Sequence, residues 1–267
     1  VMWLVAIGGN LSAYWILVAN GFMQHPVGYE IVNGRAQMID FGALLGNPRA
    51  LYLFLHTFFA GLVTAAFFIL GFSIYHLVRN HEVEAFKKSF YLSALIGLIS
   101  AVAVGLAGHA QGVYLREVQP MAAAASEAHY ETADPADFHL IAGIDQKGRR
   151  TTWSITIPKA LSYLYFFKFS GEVEGLNDIQ AQYEELYGPG NYIPNIPMAF
   201  WNFRIMVGVG TLMVLLTAGA LFIAWKKYPD KWIKLSGWLV WIIFLPYIAN
   251  TTGWLLTETG RQPWVVH

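Results

Sequence analysis

Not one of the 267 residues is cysteine. That excludes disulfides, thiolate zinc sites, cysteine-ligated iron–sulfur clusters and thiol catalysis. Charge is scarce too: Asp, Glu, Lys and Arg make up 13% of the chain, where a soluble domain carries about 25%. What charge there is cancels, with 17 basic against 17 acidic residues. No surplus of one sign marks the chain for a polyanion, so no nucleic-acid partner is expected. A P-loop, a strand-borne Gly-rich nucleotide turn, an HExxH zinc pair and a nucleophile elbow are all missing from the sequence.

Apolar residues are abundant, at 56%, and the mean hydropathy is +0.43. This balance excludes a disordered chain and an ordinary cytosolic enzyme. The 10 Trp, 14 Tyr and 18 Phe suit interfacial belts or flat aromatic cofactors. A bilayer-crossing helix needs about 20 mostly apolar residues, and five segments qualify: about 1–22, 50–78, 89–115, 198–225 and 232–257. Pro246 predicts a kink in the last. The expected fold class is all-α, a polytopic transmembrane helical bundle of about five spans with a long extracytoplasmic loop.

Three regions follow. Residues 1–115 hold helices one to three with an outer link at 24–49, residues 116–197 form the loop, and residues 198–267 hold the last two helices. In the link, Asp40–Leu45 reads as a short surface helix and Asn47-Pro48 as the turn into helix two. The loop carries 11 acidic and 6 basic residues, with helix-like pieces at Met121–Glu131 and Leu176–Leu186 and a strand-like piece at Thr151–Ile157. Arg79, Lys87 and Lys88, and Lys226, Lys227, Lys231 and Lys234, mark two short basic connections as cytoplasmic, which puts the loop and the link outside. No secretory signal pattern opens the chain, and both ends read as the interior of a longer protein.

Several residues stand out chemically. His56 lies two turns into helix two. An ionisable group inside a span is a functional candidate and a neutral imidazole ligates haem iron well, although a hydrogen bond to a neighbouring helix would serve equally. Met206 offers a thioether, which ligates haem but usually just packs. Arg204, two residues earlier, needs an anion or an exit to the interface. Trp254, Glu258 and Arg261 share one helical face if the helix persists that far. They read either as an intrahelical ion pair or as a carboxylate metal ligand with a neighbouring anion-binding Arg. His25 and His109 read as interfacial hydrogen-bonding groups, and His76, His81, His129 and His139 receive no role.

Four strings together resemble subunit I of cytochrome bd quinol oxidase: Asn20-Gly-Phe-Met-Gln-His-Pro-Val-Gly28, Asn47-Pro-Arg-Ala with His56-Thr57, Phe203-Arg-Ile-Met206, and Gly253-Trp-Leu-Leu-Thr-Glu-Thr-Gly-Arg-Gln-Pro-Trp264. The resemblance implies a respiratory oxidase that takes electrons from quinol, reduces dioxygen to water and contributes to the proton motive force. It implies a low-spin haem b, a high-spin haem b and a haem d. By motif, His56 and Met206 match the axial ligands of the low-spin haem b, and Glu258 matches the carboxylate ligand of the high-spin haem b. Trp254 matches a tryptophan between those haems, and Arg204 and Arg261 match arginines near propionates. Glu127 matches an acidic residue of the quinol-binding loop, positioned for general-base work. Ala122 stands where the family often has lysine. The implied partners are a second oxidase subunit, a small accessory subunit, quinol, dioxygen and membrane lipid, and the implied location is a bacterial or archaeal cell membrane. The family's N-terminal helices and its C-terminal end are expected to be missing from this sequence. The rival readings are a transporter that uses the intramembrane Arg, Glu and His residues, and a cofactor-free interaction subunit.

Overall fold

A computed structural model describes residues 1–266. His267, the last residue of the expected third region, lies outside the described residues. Five helical stretches are long and apolar enough to cross a membrane: Met2–Gln24, Phe41–Val78, Val83–Val118, Ile196–Trp225 and Lys231–Gly260. The five expected spans therefore form.

The elements in chain order begin with α1 (Met2–Gln24), which stops ahead of Pro26 as the restriction before proline demands. A hairpin follows, β1 (Tyr29–Val32) and β2 (Arg35–Met38). Asn33 (φ 52°) and Gly34 (φ 74°) form its two-residue turn, and two positive φ values in sequence mark the type I′ geometry. The five-residue α2 (Phe41–Leu45) is capped by Asp40, whose carboxylate accepts from the Ala43 N–H at 2.9 Å. Asn47 likewise caps α3 (Pro48–Val78), accepting from the Arg49 N–H at 2.9 Å. Then come α4 (Val83–Val118), α5 (Pro120–Glu127), β3 (Phe138–Asp145), β4 (Arg150–Ile157), α6 (Ala160–Phe166), α7 (Leu176–Tyr187) and α8 (Ile196–Trp225). The last span is α9 (Asp230–Leu235), a 3₁₀ stretch (Ser236–Phe244) and α10 (Leu245–Gly260).

One boundary differs from expectation, and two expectations gain detail. The expected helix at 121–131 ends at Glu127, because Ala128 turns left-handed (φ 51°, ψ 38°) and closes it. The expected strand at 151–157 is one arm of an antiparallel hairpin with β3. The kink at Pro246 is a change of helix type: Pro246 sits in the first turn of α10, where its missing N–H costs nothing, and the 3₁₀ stretch precedes it.

The chain forms two compact units. One comprises Val1–Phe54, Gly108–Arg204 and the stretch from Trp254 onward; the other comprises Leu55–Ala107 and Ile205–Gly253. The second unit is helical, with a core of Val63, Phe67, Leu70, Phe90, Met213 and Ile242 among others. Small residues let its backbones approach. A Cβ on Gly97 would lie 3.0 Å from Thr217 Cγ2. Its hydroxyls donate back into their own helices, as Thr217 does to the Met213 carbonyl at 2.8 Å and Ser73 to the Ile69 carbonyl at 2.7 Å, which satisfies them without water.

The first unit holds the outer link and the long polar region. Its core joins α5, α7 and the start of α8 through Met121, Ala125, Leu176, Ile179, Ile196 and Phe200. Here α1 meets α3 closely, since a Cβ on Gly21 would lie 2.9 Å from the Ala50 nitrogen. Buried polar side chains fix that corner: Arg49 donates twice to Gln24 Oε1, at 2.9 and 2.5 Å, and Gln119 donates to the Gln24 carbonyl at 3.0 Å. The Tyr114 hydroxyl meets His25 Nδ1 at 2.7 Å, which makes His25 the hydrogen-bonding group expected of it.

Candidate functional site

In the first unit, the structure brings Arg204 and Glu127 together across 77 residues of chain. Arg204 Nη2 and Glu127 Oε2 are 2.5 Å apart, with the two side chains 8% and 6% exposed. Each end has a local cause. Glu127 is the last residue of α5, held by the Ala128 turn, and Arg204 lies two turns into α8. Arg204 Nε also donates to the His139 carbonyl at 2.6 Å. Its guanidinium stacks on Phe138 at 4.3 Å and Phe200 at 4.5 Å, the cation–π arrangement that a desolvated cation favours. The remaining nitrogen, Nη1, is buried with no hydrogen-bond partner among the described residues. The guanidinium therefore holds one anion and has a donor left for another.

Glu127 lies on the wall of a cavity of about 330 Å³ that the same unit builds entirely from residues 116–179. Arg116 and Glu117 from the end of α4, His129, and Tyr165 and Phe166 around the end of α6 complete the part that matters chemically. Burial pushes the Glu127 carboxyl above its ordinary range, while Arg204 pulls back against that shift. Burial pushes the His129 imidazole the other way, below its ordinary value. Tyr165 is raised strongly for the same reason, so its hydroxyl stays protonated. The Arg116 guanidinium lies 4.4 Å from the Phe166 ring centre. The cavity wall thus presents a carboxylate and an imidazole, with the aromatic rings of Tyr165 and Phe166 on one part of it.

His56 and Met206 both fall in the second unit, on α3 and α8, and both are half-buried. A Cβ on Gly253 would sit 2.8 Å from Met206 Sδ, so α10 approaches the thioether closely and a larger residue would push it aside. Open space lies beside Gly61, Gly208 and Gly210 of the same unit, where an added Cβ would touch nothing within 4 Å. Among the described residues no three His, Asp or Glu side chains gather as a metal cluster. An imidazole and a thioether on separate helices offer one donor each.

Glu258 and Arg261 form the ion pair that was one of their two readings, with Arg261 Nη2 and Glu258 Oε2 2.6 Å apart, although α10 ends at Gly260 and Arg261 lies one residue past it. Arg261 Nη1 reaches the Val265 carbonyl at 3.0 Å and Met23 Sδ at 3.7 Å, tying the end of α10 to the end of α1. Arg261 Nε is buried without a partner among the described residues. Trp254 is 62% exposed. Trp264, at the end of the Gly260-Arg-Gln-Pro-Trp264 string, stacks on Tyr192 with ring centres 5.4 Å apart.

His129, His139, Tyr165 and the Phe138/Phe200 pair surround the Glu127–Arg204 bridge, and sequence reasoning gave none of them a role. Their spacing carries no signal, because they come from just past the end of α5, from β3, from α6 and from α8. The trace they leave in the sequence is the set of aromatic residues between 130 and 169, with His129 just before them and His139 among them.

The sequence model of the family described as cytochrome bd terminal oxidase subunit I matches residues 1–267. The chain is 47% identical over 268 residues to the cytochrome bd ubiquinol oxidase subunit 1 of Bacillus subtilis (strain 168), covering 99% of this chain and 57% of that protein. It is 31% identical to the cytochrome bd-II ubiquinol oxidase subunit 1 of Escherichia coli (strain K12), covering 100% of this chain and 63% of that protein. The fold superposes on the structure of bd oxidase from Geobacillus thermodenitrificans with a TM-score of 0.85 at 31% identity, covering 98% of this chain and 59% of that one. The chain thus spans less than two thirds of the length of these relatives. The transporter reading gains no support from them, and Arg204 and Glu258 each pair with an opposite charge inside the protein. The chain belongs to the cytochrome bd terminal oxidase subunit I family.

Proposed function

We propose that this chain is the haem-bearing part of a respiratory terminal oxidase that oxidises quinol, reduces dioxygen to water and contributes to the proton motive force. The observation that carries the reading is Glu127, on the wall of a cavity of about 330 Å³ and held in a buried pair with Arg204, in a chain with five candidate membrane spans. A buried carboxylate with a raised pKa beside a fixed cation is a tuned acid–base group. It accepts a proton from a quinol hydroxyl as electrons leave the ring.

The residues fit haem. His56 and Met206 would hold a low-spin haem b, the ligand pair that suits electron transfer. Glu258 would hold a high-spin haem b, Trp254 would assist electron passage, and a haem d would complete the set. The orphaned donors Arg204 Nη1 and Arg261 Nε suit carboxylates such as propionates. When bound, the haems supply one-electron transfer and dioxygen reduction. This chain's own residues bind and orient the quinol, take up its protons and fix the propionates. The polar loop faces outside and the basic connections face the cytoplasm, in a bacterial or archaeal cell membrane. Protons from quinol are then released outside, those for water come from inside, and this alone builds a potential, with no pump required. The partners are a second oxidase subunit, a small accessory subunit and membrane lipid.

The test is a reduced-minus-oxidised absorption spectrum of the purified complex carrying this chain, beside His56→Ala and Met206→Ala. A low-spin b-type signal present in the wild type and lost in both variants is the expected result. A colourless wild type, purified with haem supplied, overturns the reading.

A further inference from the structure

Quinol oxidation releases two protons, and Glu127 accounts for one. The cavity wall holds a second base. His129 is 7% exposed and lines the same cavity as Glu127. Its Nε2 lies 3.1 Å from the Val173 carbonyl. A carbonyl only accepts, so Nε2 carries the hydrogen and Nδ1 carries the lone pair. The backbone fixes this ring: the Leu176 N–H donates to the His129 carbonyl at 2.8 Å, and the His129 N–H donates to the Ala124 carbonyl at 3.1 Å. Between the two bases stands Ala128, an L-residue held in the left-handed region at φ 51°. That conformation is uncommon for alanine. It ends α5 after Glu127 and turns the chain so that residues two apart serve one cavity.

We propose that His129 is the second proton acceptor of the quinol site, working beside Glu127. The proposal rests on the quinol-oxidase reading above. The balance is one quinol to one quinone, with both O–H bonds breaking. One proton goes to the Glu127 carboxylate, the other goes to His129 Nδ1, and the two electrons go singly to ferric haem. Release to the outside is then short, because Glu172 and Glu174, on either side of Val173, line the same cavity and are exposed.

Burial sets the direction in which the titration of His129 moves, and the groups around it modify that. Arg116 and Glu117 face the cavity from the end of α4, and Glu172 and Glu174 face it from the segment before α7. Desolvation opposes protonation most, the bond to the Val173 carbonyl favours it, His139 opposes it, and Asp137 and Glu131 favour it, with desolvation prevailing. His129 is therefore neutral, and competent as a base, down to a pH below the ordinary imidazole range. Turnover falls as pH drops through that value.

The test uses the complete oxidase complex with a soluble short-chain quinol, following dioxygen uptake and quinol-driven haem reduction between pH 5 and 8. His129→Gln keeps a donor for the Val173 carbonyl and removes the base. It should lower kcat on the order of 10²-fold, the usual scale for a lost general base. It should leave KM within about twofold and erase the acid limb of the pH profile, with the haem spectrum and the rate of dithionite reduction unchanged. His129→Ala should recover turnover when imidazole is added, a rescue that a packing role does not give. An unaltered kcat and acid limb in His129→Gln, or His129→Ala without rescue, overturns the role of His129 while a slow Glu127→Gln keeps the quinol site in place. Wild-type rates in both Glu127→Gln and His129→Gln remove the quinol-site reading itself.

Discussion

At the scale of single residues, Gly253 governs the candidate haem ligand Met206. The thioether sits where a side chain on residue 253 would be, so Gly253→Ala displaces a flexible group rather than a backbone. The expected result is a complex that still assembles but has a weakened low-spin haem signal and a shifted reduction potential, read by spectroelectrochemical titration. An unchanged potential would separate Gly253 from the haem pocket. This contact and the Arg204–Glu127 bridge were invisible in the sequence for the same reason. Glu127 and Arg204 are 77 positions apart, and Met206 and Gly253 are 47 apart. Neither spacing is periodic, so only the folded path of the chain joins them. His56, Met206 and Glu258 stand out in the sequence one at a time as candidates, because a titratable or ligating group in an apolar run is conspicuous on its own.

At the scale of elements, the approach of α1 to α3 rests on Gly21. A methyl group there would meet the Ala50 backbone at 2.9 Å and 3.1 Å, and backbone cannot step aside. Gly21→Ala should cost about 1–3 kcal/mol, the range for overpacking, and lower the thermal midpoint in detergent. Gly9→Ala, on the same helix but facing open space, should hold or raise it, since alanine favours helix by up to about 1 kcal/mol. Equal melting of the two variants would refute the close crossing. The spans themselves were legible from length and apolarity alone. The short elements were not. Asn33-Gly34 is a strong hairpin signal that stood unread between two spans. The end of α5 was misplaced because alanine at 128 gives no warning of a left-handed turn. The 3₁₀ stretch at Ser236–Phe244 is as apolar as any α-helix, so hydropathy cannot distinguish it.

At the scale of the whole molecule, orientation is the open quantity that the chain makes easy to measure, since its lack of cysteine gives a clean background for single-thiol labelling. Lys147, in the β3–β4 turn, and Lys227, in the basic connection after α8, are both exposed. In spheroplasts, Lys147→Cys should react with a membrane-impermeant maleimide, and Lys227→Cys should react only after permeabilisation; the reverse pattern inverts the proposed topology. The cavity described above has a further property at this scale. Arg116 pairs with Glu117 at 3.4 Å and Arg204 with Glu127, which leaves Glu172 and Glu174 at the wall in no ion pair among the described residues. The entrance is therefore net negative before any ligand arrives. Such a doorway discriminates by sign: it admits neutral and cationic amphiphiles, holds anionic ones back at low ionic strength, and loses that selectivity as salt screens it.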